Sequence, residues 1–136
     1  MVMPPGPRVS APKMAGLDHL VLVVADVAAT CAFYERVLGL APREERPGKW
    51  SLHFGRHKIS LQDIGSVPKM AKGTVPGAGN FCILSDTPMV ELMAHLDGQG
   101  VTILDGPVHR SGATGPIVSV YFHDPDGNLV ELSNLL

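Results

Sequence analysis

The sequence predicts an α+β protein made of two consecutive βαβββ modules. Three observations carry this. Short runs rich in Val, Leu and Ile alternate with two amphipathic segments of helix length. The order strand, helix, three strands occurs twice, and Asp26 and Asp86 close corresponding strands at an offset of about sixty residues. Glycine and proline break the pattern over residues 65–79, between the two halves. A chain of 136 residues has the length of one domain. A half of it cannot bury its own sheet face alone, so the two must pair. The expected organisation is a flexible tail over residues 1–16 and one domain over 17–136. Within it, module one covers about 17–64, the linker 65–79 and module two about 80–136.

Residues 17–25, "LDHLVLVVA", read as a strand by their Leu and Val content. Asp26 caps the helix that follows, with Ala28, Cys31, Tyr34 and Leu38 on one face and Phe33 and Val37 beside it. Gly39 supplies the stop, and Pro42 lies just beyond. A short strand near Arg43–Glu45 is followed by "KWSLHF" and "KISLQDI", two alternating strands turned around Gly55. In the second half "NFCILS" is a strand, and Thr87 with Pro88 opens a helix whose buried stripe is Met89, Leu92, Met93 and Leu96. "GVTIL" and "IVSVYF" read as strands, and "DPDGN" turns tightly into the last strand, "LVELSN".

Composition excludes several classes of function. A hydrophobic content of 45% with 18% charged residues describes a folded globular chain. A net charge of −2 gives no electrostatic case for nucleic acid. The longest apolar run, Leu20 to Ala25, is too short to span a bilayer. "MVMPPGPRVSAPKMAG" has no apolar leader core, so the protein is expected in the cytoplasm. Cys31 and Cys82 lie in apolar periodic segments and read as two core thiols rather than a disulfide.

Strand side chains alternate between faces. Leu20, Leu22 and Val24 belong under the helix, which turns His19, Val21 and Val23 away; Ile59 and Leu61 go with the core, and Ser60 and Gln62 oppose them. Phe81 and Ile83 likewise oppose Asn80, Cys82 and Leu84, and Val130 and Leu132 oppose Leu129, Glu131 and Ser133. Four side chains with hydrogen-bonding or ligating atoms therefore sit on non-core faces: His19, Gln62, Asn80 and Glu131. A carboxylate between two core residues needs a partner, either a metal or a basic group. Gln62 equally suits a hydrogen bond along the sheet, and Asn80 a polar strand edge. His53, His57, His95, His109 and His123 are expected to be solvated. Arg110, in the glycine-bearing loop 106–116, reads either as an anion hook on a mobile lid or as a solvated loop arginine.

The repeated βαβββ order, "LDHLVLVVAD…FYERVLGL" and "YFHDPDGNLVELS" together resemble the vicinal oxygen chelate superfamily over about residues 17–134. That superfamily includes glyoxalase I, extradiol dioxygenases, methylmalonyl-CoA epimerase and the fosfomycin and bleomycin resistance proteins. "FGRHKISLQDIG" and "GPVHRSGATGPIVSVYFHDPDGNLVELSN" are most similar to the glyoxalase domain-containing protein 5 group and its small bacterial relatives. The resemblance implies strands curling into a curved, barrel-like mixed sheet, with a divalent metal in its cleft. Its ligand positions fall on His19, Gln62 and Glu131. The fourth falls on Asn80, where many members have histidine, and a neutral amide oxygen there weakens the site. An imidazole, a carboxylate and amide oxygens suit Mg, Mn, Co, Ni or Zn better than the two-histidine, one-carboxylate set of Fe(II) oxygenases.

The implied function is a metal-dependent lyase, isomerase or epimerase acting on a small oxygenated metabolite, with Glu131 also serving as the base. The alternative is a metal-free protein that sequesters a ligand, as bleomycin resistance proteins do. An extradiol-type dioxygenase ranks behind both. A homodimer is the family expectation.

Overall fold

In the computed structural model, which describes residues 11–66 and 71–136, the chain runs β1 (His19–Val24), α1 (Val27–Leu38), β2 (Ala41–Arg46), β3 (Lys49–Phe54) and β4 (His57–Asp63). It then repeats as β5 (Asn80–Leu84), α2 (Met89–Gly98), β6 (Asp105–Ser111), β7 (Pro116–His123) and β8 (Leu129–Leu135). Of the tail expected over residues 1–16, residues 1–10 lie outside the described residues.

Local chemistry explains the boundaries. Asp26 adopts an extended φ of −142° and its carboxylate accepts the backbone N–H of Ala29 at 3.0 Å, starting α1. Gly39, at φ 68°, closes that helix by donating its N–H to the Glu35 carbonyl. The second helix has Pro88 at its N-cap position and no side-chain cap.

The strands form two four-stranded mixed sheets, ordered β1-β4-β3-β2 and β5-β8-β7-β6. β1 runs parallel to β4 and β5 parallel to β8, and the remaining pairs are antiparallel. Among the described residues neither sheet continues into the other. β1 and β5 are therefore edges, and no barrel closes within one chain.

Two segments of the second module differ from the expected secondary structure. "GVTIL" is not a strand: residues 101–104 have no regular structure, and the strand begins at Asp105. The segment 106–116 is not an open loop. Most of it is β6, joined to β7 by a turn in which Gly112 N–H donates to the Gly115 carbonyl at 2.8 Å. β6 carries a register shift between Asp105 and Val108, where Gly106 holds a φ of 102° and Pro107 has no N–H to give the ladder.

The inward faces of both modules meet in one core. Val24, Tyr34, Leu52 and Ile59 come from the first, and Leu96, Val120, Phe122 and Val130 from the second. The turn at 124–128 fastens the modules together. Asp124 accepts the Tyr34 hydroxyl at 2.7 Å and Asp126 accepts the Ala25 N–H at 3.2 Å, while on the second half's own side the Asn128 side-chain carbonyl accepts the Gly79 N–H at 2.7 Å. The Asp124 carboxylate also takes the N–H groups of Asp126 and Asn128, which fixes the turn itself. His95, expected to be solvated, donates from Nε2 to the Val37 carbonyl at 2.8 Å and so joins α2 to α1. No described helix is long and apolar enough to cross a membrane.

Candidate functional site

Strand pairing decides which of the outward polar side chains are neighbours. On the second sheet the rows run Asn80, Leu129, His123; then Cys82, Glu131, Tyr121; then Leu84, Ser133, Ser119. Glu131 is half-buried in the middle row, and its Oε2 accepts the Ser119 hydroxyl at 2.6 Å. Ser119 and Ser133 are fully buried, their oxygens 2.6 Å apart, and Ser133 Oγ lies 3.2 Å from Cys82 Sγ. Cys82 is thus not a core thiol. It is exposed on the edge strand β5, where no further strand covers it, while Cys31 is half-buried; both are free.

Arg110 stands on β6 and not on a loop. Its Nε donates to the Tyr121 hydroxyl at 3.2 Å, and its guanidinium carbon lies 5.8 Å from the Tyr121 ring centre. Tyr121 faces Glu131 across the ladder. Arg110, Tyr121 and Glu131 thus share one face, a cation, a phenol and a carboxylate, and the Arg110 guanidinium also lies 3.7 Å from the Asp105 carboxylate. Such a set can orient an oxygen-bearing anion and exchange a proton with it.

The first sheet carries a second polar cluster. His19, Lys58 and His53 are successive partners in one row, and Val21, Ser60 and Ser51 in the next. Glu45 Oε1 accepts from Lys58 Nζ and from Ser51 Oγ, each at 2.7 Å. His53 is not solvated; its Nε2 lies 2.8 Å from Ser51 Oγ and 3.5 Å from Glu45. Ser51 gives its one proton to Glu45, so His53 must donate from Nε2. Lys58 first, then Ser51, holds the Glu45 carboxyl down to about 2, against an ordinary 4.5. A depressed carboxyl stabilises the fold above the ordinary range, and that contribution is lost as pH falls from about 4.5 toward 2. Lys58→Met is expected to raise the Glu45 midpoint in a carboxyl-carbon NMR titration; an unmoved midpoint would show that the ammonium is not the cause.

The register separates two of the ligand candidates. Gln62 is opposite Val23, four residues beyond the row of His19, a distance of about 13 Å at the usual strand rise. On the second sheet Asn80 is opposite Leu129, two residues before Glu131. On the first, His19 is opposite Lys58, two residues before Ser60. Ser60 thus stands to His19 as Glu131 stands to Asn80. His19 is exposed, and its Nδ1 pairs with Asp18 at 2.8 Å. Among the described residues of one chain, no three His, Cys, Asp or Glu side chains come together as a metal-binding group.

A cleft of about 1110 Å³ opens between the modules, lined by His19 and Lys58 on one side and by Phe81, Cys82, Leu84 and His95 on the other. Gln62, Asn80 and Glu131 do not line it.

A family model for the glyoxalase/bleomycin resistance protein/dioxygenase superfamily matches residues 16–132. The chain belongs to this superfamily. Among its relatives, the virulence protein STM3117 of Salmonella typhimurium is 42% identical over 119 residues, 86% of this chain and 82% of that protein. The glyoxalase domain-containing protein RDO1 of Mycosarcoma maydis is 40% identical over 124 residues, 90% of this chain and 69% of that protein. An integron cassette protein from the mobile metagenome of V. cholerae is 46% identical in sequence. Its solved structure superposes with a TM-score of 0.87, covering 92% of this chain and 98% of that one.

In this glyoxalase-superfamily chain, sequence reasoning missed Tyr121, Ser119 and the cluster of Glu45, Ser51, His53 and Lys58. Alternation held part of the signal, because Ser119 and Tyr121 share the parity of the outward face of β7 and Ser51 and His53 that of β3. The missing information was which outward residues lie side by side.

Proposed function

We propose that this superfamily member is a divalent-metal-dependent lyase, isomerase or epimerase acting in the cytoplasm on a small oxygenated metabolite. The observation that supports it is the setting of Glu131. One carboxylate oxygen is held by a buried serine, and the residue shares an accessible sheet face with Tyr121 and Arg110. Glu131 then takes and returns a proton at the substrate carbon, and Arg110 with Tyr121 binds an anionic or carbonyl oxygen. His19 and Glu131 are the protein ligands, with the Asn80 amide oxygen as a weaker third beside Glu131. Gln62, at the far end of the first sheet's outward row, is the least favourably placed of the four. This donor set fits Ni, Co, Zn, Mn or Mg. When bound, such an ion would supply Lewis-acid polarisation of a substrate carbonyl.

The reading requires two copies of the chain. β1 and β5 are bare edges, and their outward faces carry Val21, 52% exposed, and Leu84, 53% exposed. Unpaired apolar edges of this kind invite pairing around a two-fold axis. A homodimer would bring His19 of one copy toward Glu131 of the other.

A second reading, a metal-free ligand-sequestering protein, draws on the dispersed ligand candidates in the described residues of one chain. One experiment separates the two. Protein purified without added metal is assayed for metal content and for mass by light scattering, and His19→Ala and Glu131→Gln are assayed alongside. The enzyme reading expects stoichiometric metal in a dimer and its loss in both variants. A metal-free wild type whose small-molecule binding survives both changes leaves the sequestering protein.

A further inference from the structure

The hydroxyls behind Glu131 can be ordered by counting protons. Each serine has one proton to give, and an ionised carboxylate only accepts. Ser119 gives its proton to Glu131 Oε2 at 2.6 Å, so in its 2.6 Å contact with Ser133 it must accept. Ser133 then has no proton left for Cys82, and the 3.2 Å contact between them is a thiol donating to a hydroxyl. The alternative for Ser133, direct donation to Glu131, lies at 3.5 Å, the outer limit of a hydrogen bond. The chain therefore runs one way, from Cys82 to Ser133 to Ser119 to Glu131. Both serines are 0% exposed, so their places in it are closed to water.

Glu45 supplies the contrast. It too sits over a buried serine, Ser51, but Lys58 neutralises it. Glu131 has no ion-pair partner among the described residues, and its Oε1 accepts no hydrogen bond from them. One carboxylate is closed off by its own lysine. The other is steadied on one oxygen and left with its charge and its second oxygen available.

We infer that Ser119, backed by Ser133 and Cys82, is a positioning residue that fixes Glu131 through Oε2 so that Oε1 is the atom presented to a ligand. This rests on the proposed role of Glu131 and adds to it which oxygen works and what holds it. Hydrogen-bonding partners of a ligating carboxylate typically change metal affinity by about 10- to 100-fold when removed.

The test uses the full chain with Co²⁺ as the probe, read by calorimetric titration and by the visible absorption of the bound ion. Ser119→Ala is expected to weaken binding by about 10- to 100-fold and to change the cobalt absorption, with Ser119→Thr restoring both. Ser133→Ala should lose less, and Cys82→Ala least, since the effect falls with distance from the carboxylate. Thermal melting of each variant separates loss of binding from loss of fold, and Ser133→Ala carries the test should Ser119→Ala fail to fold. The relay is overturned if Glu131→Gln abolishes cobalt binding while Ser119→Ala and Ser133→Ala bind as the wild type does. It is also overturned if Thr restores nothing. A wild type that binds no cobalt, or a Glu131→Gln variant that binds it normally, overturns instead the metal reading on which the relay rests.

Discussion

Tyr34→Ala is expected to destabilise the chain by about 3–5 kcal/mol, the usual cost of emptying a buried aromatic site. That is a large share of the roughly 5–15 kcal/mol that holds a domain folded. Tyr34 is completely buried in α1, packed edge-on against Phe33 at 5.4 Å between ring centres. Its hydroxyl donates to Asp124 at 2.7 Å, in the turn that leads into β8. Burial, and then the Asp124 charge, push the phenol far above its ordinary range, so it remains a donor at every physiological pH. The alanine variant loses the ring, and Asp124 keeps only Asn128 and the turn's own N–H groups. Tyr34→Phe isolates the hydroxyl and should cost about 1–3 kcal/mol, the penalty for leaving a buried acceptor short of a donor. Urea denaturation measures both. A phenylalanine variant as stable as the wild type would show that the Asp124 contact contributes nothing to joining the modules.

Gly106→Ala should be nearly as damaging, at about 3 kcal/mol, because strain and collision add. Gly106 has a φ of 102°, a region L side chains rarely adopt. A methyl group there would run into the Ser119 carbonyl oxygen and approach the Val120 Cα. Either the β6–β7 register slips or β7 moves outward. In both cases Ser119 shifts, and the carboxylate it holds shifts with it. The variant should therefore melt at lower temperature and also bind cobalt more weakly. Gly48→Ala is the control, since it shares the strained conformation, at φ 76°, while a methyl group there would touch nothing. A Gly106 variant no worse than the Gly48 variant would rule out the collision.

Much of the architecture could be read from local chemistry. Asp26 and Gly39 bound the first helix as their side-chain and backbone preferences require. Alternation along β1, β4, β5 and β8 assigned core and outward faces, and Leu22, Ile59, Ile83 and Val130 are buried as expected. Local chemistry does not contain the offset between two strands that meet across many intervening residues. His19 and Gln62 share a face, but the parallel register of β1 on β4 holds them four residues apart. The same gap hid the grouping of Arg110, Tyr121 and Glu131, which depends on two antiparallel registers and on the irregularity at Gly106. Cys82 misled for a related reason. An apolar strand reads as buried, and whether its outward side is covered depends on where the sheet ends.

The turn at residues 124–128 has a consequence for how the two halves recognise each other. It grips Ala25 and Tyr34 through separate side chains, and around it the halves share one apolar interior. The halves are then joined by these contacts as well as by the peptide connection between residues 65 and 79. Fragments made by cutting the chain there carry complementary surfaces, and mixing them should regenerate the native assembly without any covalent link between them.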